Sequence, residues 1–192
     1  EGRSETPDQY TYEVTNNMQY LRQYFFIREY AYRLDLQLKS FSGQEDDVDQ
    51  YSHFIVARKG HFCVGGARLT VSSFGSDTKL PLEDDSFSIK SHIPELRRVN
   101  YCELGRTAVL PDYRSGDCLD NIFALSAIVA RKLNCKYMMG VSPPAVARRF
   151  KAAYSSLGYS AEIRSDIKTP VKPIHEHLNL KFILVDLTSR ED

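Results

Sequence analysis

Apolar residues recur at helical spacing in the first part of the chain, where Met18, Leu21, Phe25, Tyr32 and Leu36 fall three, four or seven residues apart. The spacing predicts a helix over Tyr20–Leu38, with Arg28 inside its apolar stripe. An acidic, glycine-containing loop follows over residues 42–49. Residues 54–64 read as two strands around a tight turn at Lys59-Gly60, the second running on to Val71. Residues 72–90 are polar, with Gly75, Pro81 and several Asp, and read as a long loop; residues 101–110 read as a strand. Beyond Pro111 the helical period returns, and Leu119, Ile122, Phe123, Val129, Ala130 and Leu133 mark one face of a helix ending near Asn134. Ser126 lies on that face and is small enough to be tolerated there. A short strand at residues 136–141 precedes a helix that Pro144 opens and Gly158 ends. Strands at 159–163 and 178–187 complete the chain. Without repeats or a Gly-, Ser- or Pro-rich linker, residues 9–192 predict one α+β domain. Its helices fall before the first hairpin and between later strands, which implies a mixed sheet covered on both faces.

Composition narrows the class. At 192 residues the chain can bury a sizeable core without disulfides or metal. With 42% hydrophobic and 26% charged residues it is neither low-complexity nor disordered in bulk. Lys plus Arg equals Asp plus Glu at 25 each, which argues against a sequence-independent nucleic-acid binder. No apolar run is long enough for a transmembrane helix, so stable membrane insertion is not expected. The first nine residues are polar and lack the apolar core of a secretory signal. Residues 1–8 are set aside as disordered or a tag remnant. The cysteines (63, 102, 118, 135) are scattered without C-x-x-C spacing, which reads as reduced packing cysteine in a cytoplasmic protein. Only His175 and His177 are close together among five histidines, and no metal site is expected.

Three segments carry a resemblance: Glu103-Leu-Gly-Arg-Thr-Ala-Val109, Pro111-Asp-Tyr-Arg114 and Tyr154-Ser-Ser-Leu-Gly-Tyr159. In this order and spacing they resemble the GNAT-fold N-acyltransferase superfamily. Arg28 with Tyr32, Asp47-Val-Asp-Gln-Tyr51, Gly65-Gly-Ala-Arg-Leu-Thr70 and Glu103-Leu-Gly-Arg106 narrow the resemblance further. Together they look like the autoinducer (acyl-homoserine-lactone) synthases and their relatives, the long-chain N-acyl amino acid synthases. The resemblance covers roughly residues 20–160. It implies a GNAT-like α/β/α sandwich around a mixed, mostly antiparallel central sheet, in a bacterial acyltransferase. The implied donor is the phosphopantetheine thioester of acyl carrier protein, with acyl-CoA as the other option and no permanently bound cofactor. The implied acceptor is the α-amine of a small molecule.

Departures from the family pattern favour a free amino acid as that acceptor, N-acyltyrosine being one such product. Ser52 stands where the family has an Asp after the loop aromatic, and the chain has no Trp. Both count against S-adenosylmethionine. After Arg114, Asp117 and Leu119 occupy positions where the superfamily has glycines. Fewer free N–H groups and an added carboxylate suit a CoA pyrophosphate poorly, and a carrier protein's single phosphate better. Arg114, Ser115 and Gly116, with the backbone of Thr107, Ala108 and Val109, are the expected donor-binding residues. Three alternatives stay open: an autoinducer synthase using S-adenosylmethionine, an acyl-CoA-dependent GNAT acetyltransferase, and a non-catalytic acyl-binding protein.

Amide formation from a thioester needs a neutral amine, a polarised carbonyl and a protonated leaving thiolate. Glu103 lies mid-strand among apolar neighbours, where burial raises a carboxylate's pKa and fits it to act as base. It can equally serve as an ion-pair partner of Arg68 or Arg106. Glu103 and Arg106 can face one site only if the strand is interrupted near Gly105, as the resemblance implies. Arg28, Arg68 and Arg106 sit in apolar contexts, with Asp49 as a further partner. Such a network would hold the first helix to the sheet and, with Tyr32 beside it, could seat an amino-acid carboxylate. Tyr154 resembles the superfamily's general acid, though a core tyrosine would look the same. Gly65 and Gly66 indicate a close approach in the strand or a bulge. Residues 141–161 hold no acidic side chain, so Arg148, Arg149 and Lys151 are the expected docking face for an acidic carrier protein.

Overall fold

One seven-stranded sheet, in the order β1-β2-β3-β4-β5-β7-β6, organises the computed structural model, which describes residues 10–171 and 173–189. The elements are β1 (Tyr10–Thr15), α1 (Met18–Leu34), β2 (Ser52–Lys59), β3 (Phe62–Ser72), β4 (Asn100–Val109), α2 (Cys118–Lys132), β5 (Cys135–Ser142), α3 (Pro144–Ser156), β6 (Ser160–Arg164) and β7 (Lys181–Asp186). β4 and β5 pair in parallel, whereas β1–β2, β5–β7 and β6–β7 are antiparallel. The α+β class and the mixed, mostly antiparallel sheet are as the sequence predicts. The expectation for residues 1–8 lies outside the described residues. No described helix is long and apolar enough to cross a membrane. The chain forms two compact units, one holding residues up to Arg68 with Arg106–Leu125, the other Leu69–Gly105 with Ser126 onward.

In the first unit, α1 starts where the Asn17 side chain accepts the Gln19 N–H at 2.9 Å. It ends at Leu34, four residues before the predicted Leu38, and Gln37 just beyond is left-handed at φ 56°. The buried stripe is Leu21, Tyr24, Phe25, Ile27, Arg28 and Ala31; Met18, expected in it, is 45% exposed. The apolar members pack with Phe54, Val56, Cys63 and Ala108. β1 goes unpredicted: it pairs with β2 from Tyr10↔Lys59 to Thr15↔Phe54 but buries none of its residues fully, so it carries no clear hydrophobic signature. The predicted tight turn is present, with Gly60 at φ 59°. Gly65 and Gly66 mark a close approach. A Cβ on Gly65 would meet the Ala108 carbonyl at 2.9 Å, and one on Gly66 would meet the Ile55 carbonyl at 2.6 Å and the Tyr24 ring at 2.8 Å.

In the second unit the segment after β3 departs from the expected polar loop. Leu80, Leu82, Phe87, Ile89, Ile93 and Leu96 are buried and pack with Tyr101, Met139, Phe182 and Leu184. Their irregular spacing follows short 3-10 turns at Ile89–Ser91 and Pro94–Arg98 and fits neither a helix nor a strand template. α3 begins with Pro144 in its first turn, buries Ala147, Phe150 and Tyr154, and packs on β5, β6 and β7. The chain turns after it at Gly158, φ 87°. The parallel ladder of β4 with β5 runs from Asn100↔Cys135 to Glu103↔Met139.

Candidate active site

The first unit holds a buried charge network. Asp49 sits in a 3-10 turn (Asp49–Tyr51) that ends the acidic loop, and its carboxylate is fully buried. One oxygen accepts from Arg28 Nη1 at 3.1 Å and Arg68 Nη1 at 2.9 Å. The other accepts from Arg28 Nη2 at 2.6 Å and the Asp46 N–H at 2.9 Å. Burial alone pushes this carboxyl up, but the hydrogen bonds from Arg28, the Asp46 amide and Arg68 outweigh it and hold Asp49 below the usual carboxylate range. Arg28 also donates from Nε to the Gly43 carbonyl and from Nη2 to that of Gln44, and its guanidinium lies 4.3 Å from the Phe25 ring centroid. Every nitrogen of Arg28 is thereby engaged by α1's neighbouring loop. Arg68 also bonds Asp46, at 2.9 and 3.1 Å, while its buried Nε has no hydrogen-bond partner.

Arg106 differs from both. It is left-handed at φ 55°, a conformation that non-glycine residues rarely adopt, one residue beyond Gly105 within β4. The Tyr24 hydroxyl donates to its carbonyl at 2.6 Å. Its guanidinium lies over Phe41 at 4.7 Å and Tyr32 at 5.5 Å, two rings that stack on each other at 4.5 Å. Its ion pair with Asp46 is 3.7 Å long, beyond hydrogen-bond range, and its side chain is 26% exposed. Of the expected acceptor residues, Arg28, Asp49, Arg68, Arg106 and Tyr32 are thus brought together. Asp46, Tyr24 and Phe41 join them without having been singled out. Asp46 gives some signal, lying three residues before Asp49 in the acidic run.

The second unit holds Glu103 and Tyr154. Glu103 is buried, and its carboxylate accepts the Leu82 N–H at 2.9 Å. The Tyr154 hydroxyl is 2.5 Å from Ser126 Oγ, and the ring packs on Phe150 at 4.7 Å. Burial pushes this phenol well up, which the Ser126 hydrogen bond only partly offsets, so it stays protonated. Ser126 is therefore a polar partner inside the core, where its sequence suggested only a small filler.

The expected donor-binding residues lie along the end of β4 and the start of α2. Ala108 and Val109 are buried and Thr107 is half-buried. Arg114 donates from Nε to the Val109 carbonyl at 2.7 Å and from Nη2 to Asp35 at 2.6 Å. Ser115, Gly116 and Asp117 are exposed just before α2. Arg148 and Lys151 are exposed on α3, whereas Arg149 is half-buried.

The sequence matches the acetyltransferase (GNAT) domain family over residues 21–124, more than half of the chain. The chain belongs to this family, and its class is acyltransferase. Three solved structures illustrate the shared fold. FeeM, an N-acyl amino acid synthase from uncultured soil microbes, is 12% identical, with a TM-score of 0.61 over 95% of this chain and 90% of that one. A structure of BjaI, a CoA-dependent acyl-homoserine lactone synthase, with SAM and isopentyl-CoA is 17% identical, with a TM-score of 0.61 over 89% and 77%. An acetyltransferase from Streptococcus agalactiae is 14% identical, with a TM-score of 0.58 over 91% and 96%. At such identities the likeness is one of fold. No curated protein matches the sequence.

Proposed function

We propose that this acyltransferase moves a fatty acyl group from the phosphopantetheine thioester of acyl carrier protein to the α-amine of a free amino acid. The observation that carries the reading is Arg106. Arg28 is committed to the fold and Arg68 is buried against two aspartates. Arg106 alone combines partial exposure, two aromatic rings holding its guanidinium, and hydrogen-bonding capacity that Asp46 at 3.7 Å does not use. A planar fork of this kind matches an amino-acid carboxylate. The exposed carboxylate of Asp117 beside Ser115 and Gly116 favours a donor with one phosphate over a CoA pyrophosphate.

In the proposed reaction the amine nitrogen attacks the thioester carbon, the C–N bond forms and the C–S bond breaks. Glu103 takes the amine proton, directly or through a water, and a proton is returned to the leaving thiolate, with Tyr154 as the assigned acid. The test is product analysis by mass spectrometry after incubation with acyl carrier protein thioesters and the free amino acids. The expected product is an N-acyl amino acid, with the acceptor's amide used at least tenfold less well, since a charge-assisted hydrogen bond is lost. Equal use of acid and amide would remove Arg106 from the carboxylate. Consumption of S-adenosylmethionine with a lactone product would transfer the reading to the autoinducer synthases.

A further inference from the structure

The polar-looking segment between β3 and β4 is a self-bonded scaffold built around Glu83. One Glu83 oxygen accepts the Leu80 N–H at 2.9 Å, and the other accepts the Ile89 N–H at 2.9 Å and the Ser88 hydroxyl at 3.3 Å. The Glu83 N–H returns to the Leu80 carbonyl at 2.9 Å. Leu80 and Ile89, the residues whose amides Glu83 holds, are anchored in the core at 1% and 0% exposure. Between them the Leu82 N–H points out of this scaffold to Glu103, at 2.9 Å.

We propose that Glu83 is a positioning residue for the reaction: it holds the 80–89 segment so that the Leu82 amide fixes the Glu103 carboxylate and favours its ionised form. This rests on the reading of Glu103 as the base. A carboxylate ready to accept a proton must be ionised in a buried setting, and a fixed backbone N–H contributes to that bias. Two titratable neighbours on β4 stay uncharged. Cys102, its neighbour on β4, has a thiol pushed well up by burial and stays neutral. Tyr101 on the same strand is pushed up to about 12, with burial the main cause, and also stays neutral. β5 presents Met139 at the paired position, and the segment itself brings Glu83 and Asp84 next to Leu82.

The test is the pH dependence of kcat/KM for Glu83→Ala, Glu83→Gln and Glu103→Gln. Glu83→Ala should move the acidic limb of the profile upward by about one pH unit, because the carboxylate loses most of one directed hydrogen bond. Glu83→Gln retains one acceptor oxygen and should move the limb by less. Circular dichroism over the same pH range checks that the variant stays folded through the limb, so a moved midpoint in folded enzyme separates positioning from damage to the fold. An unmoved limb in Glu83→Ala, with Glu103→Gln inactive, overturns the role of Glu83 and leaves the base standing. An active Glu103→Gln with an unchanged profile overturns the base itself, and the positioning role falls with it.

Discussion

Replacing Asp49 by Asn removes the charge at the centre of the network while keeping its shape. Asp49 receives four hydrogen bonds, three of them from guanidinium groups, at a site where its own side chain is 0% and that of Arg28 1% exposed. Asn offers one acceptor oxygen in place of two, and its amide nitrogen would face guanidinium donors. Arg68 would keep Asp46, but Arg28 would lose its carboxylate partner and one of its two bonds to residue 49, keeping one amide oxygen and the carbonyls of Gly43 and Gln44. Leaving a buried cation uncompensated costs about 3–5 kcal/mol. In a domain of this size that corresponds to a melting temperature lowered by roughly 10 °C. Urea unfolding followed by circular dichroism should show the midpoint falling with an unchanged slope. Asp46→Asn, whose side chain is 39% exposed, should cost far less.

The same carboxylate makes a signed pH prediction. Asp49 is held below the usual range in the folded state, against about 3.9 when unfolded. Its contribution is therefore fully present above the unfolded value and is lost as pH falls through the folded one. Below about pH 4 the wild type should lose stability more steeply than Asp49→Asn as the pH falls. An Asn variant within 1 kcal/mol of wild type at pH 7, with an equal acid slope, would refute the claim that this network holds α1 to its loop.

Gly66→Ala should destabilise by about 2 kcal/mol or more, since its Cβ would meet the Ile55 carbonyl and the Tyr24 ring. Gly116→Ala, with no atom within 4 Å, should stay within about 0.5 kcal/mol in the same urea titration. Glu103→Gln should slow acyl transfer at least tenfold with its melting temperature preserved; early melting with normal turnover would make Glu103 structural. Arg148→Glu combined with Lys151→Glu, the two exposed cations of α3, should slow transfer from carrier protein and spare a short pantetheine thioester. That difference should shrink as salt rises, and equal slowing of both donors would remove this face from docking.

Much of the fold is written in periodicity. The stripe of α1, the hairpin turn at Gly60 and the Pro144 start of α3 follow from local chemistry, and the structure reproduces them. The pairing of Arg28 is legible because a cation inside an apolar stripe demands a buried partner. The identity of the second partner is harder to read. Asp46, Asp47 and Asp49 look alike in sequence, and the turn in which the Asp49 N–H bonds the Asp46 carbonyl and side chain decides which of them face the arginines. The Leu82 donor is invisible for a different reason: every non-proline residue carries the same N–H, so only the folded path of the backbone selects it. Ser126 and Tyr154 meet from two helices 28 residues apart, a pairing that no local pattern encodes.

The charge count of the network bears on the proposed amino-acid acceptor. Arg28, Arg68 and Arg106 supply three positive charges, and Asp46 and Asp49 supply two negative ones, all within the first unit. The short contacts use up the charges in a consistent order. Asp49 is saturated by Arg28 and Arg68, and Asp46 lies at 2.9 Å from Arg68 but 3.7 Å from Arg106. The surplus positive charge therefore resides on Arg106, the most exposed of the three guanidinium groups and the one resting on aromatic faces. A single carboxylate would complete the network, whereas an uncharged or cationic acceptor would leave the surplus in place. Repulsion of a second cation, as much as attraction of an anion, is what would let this residue choose among amines.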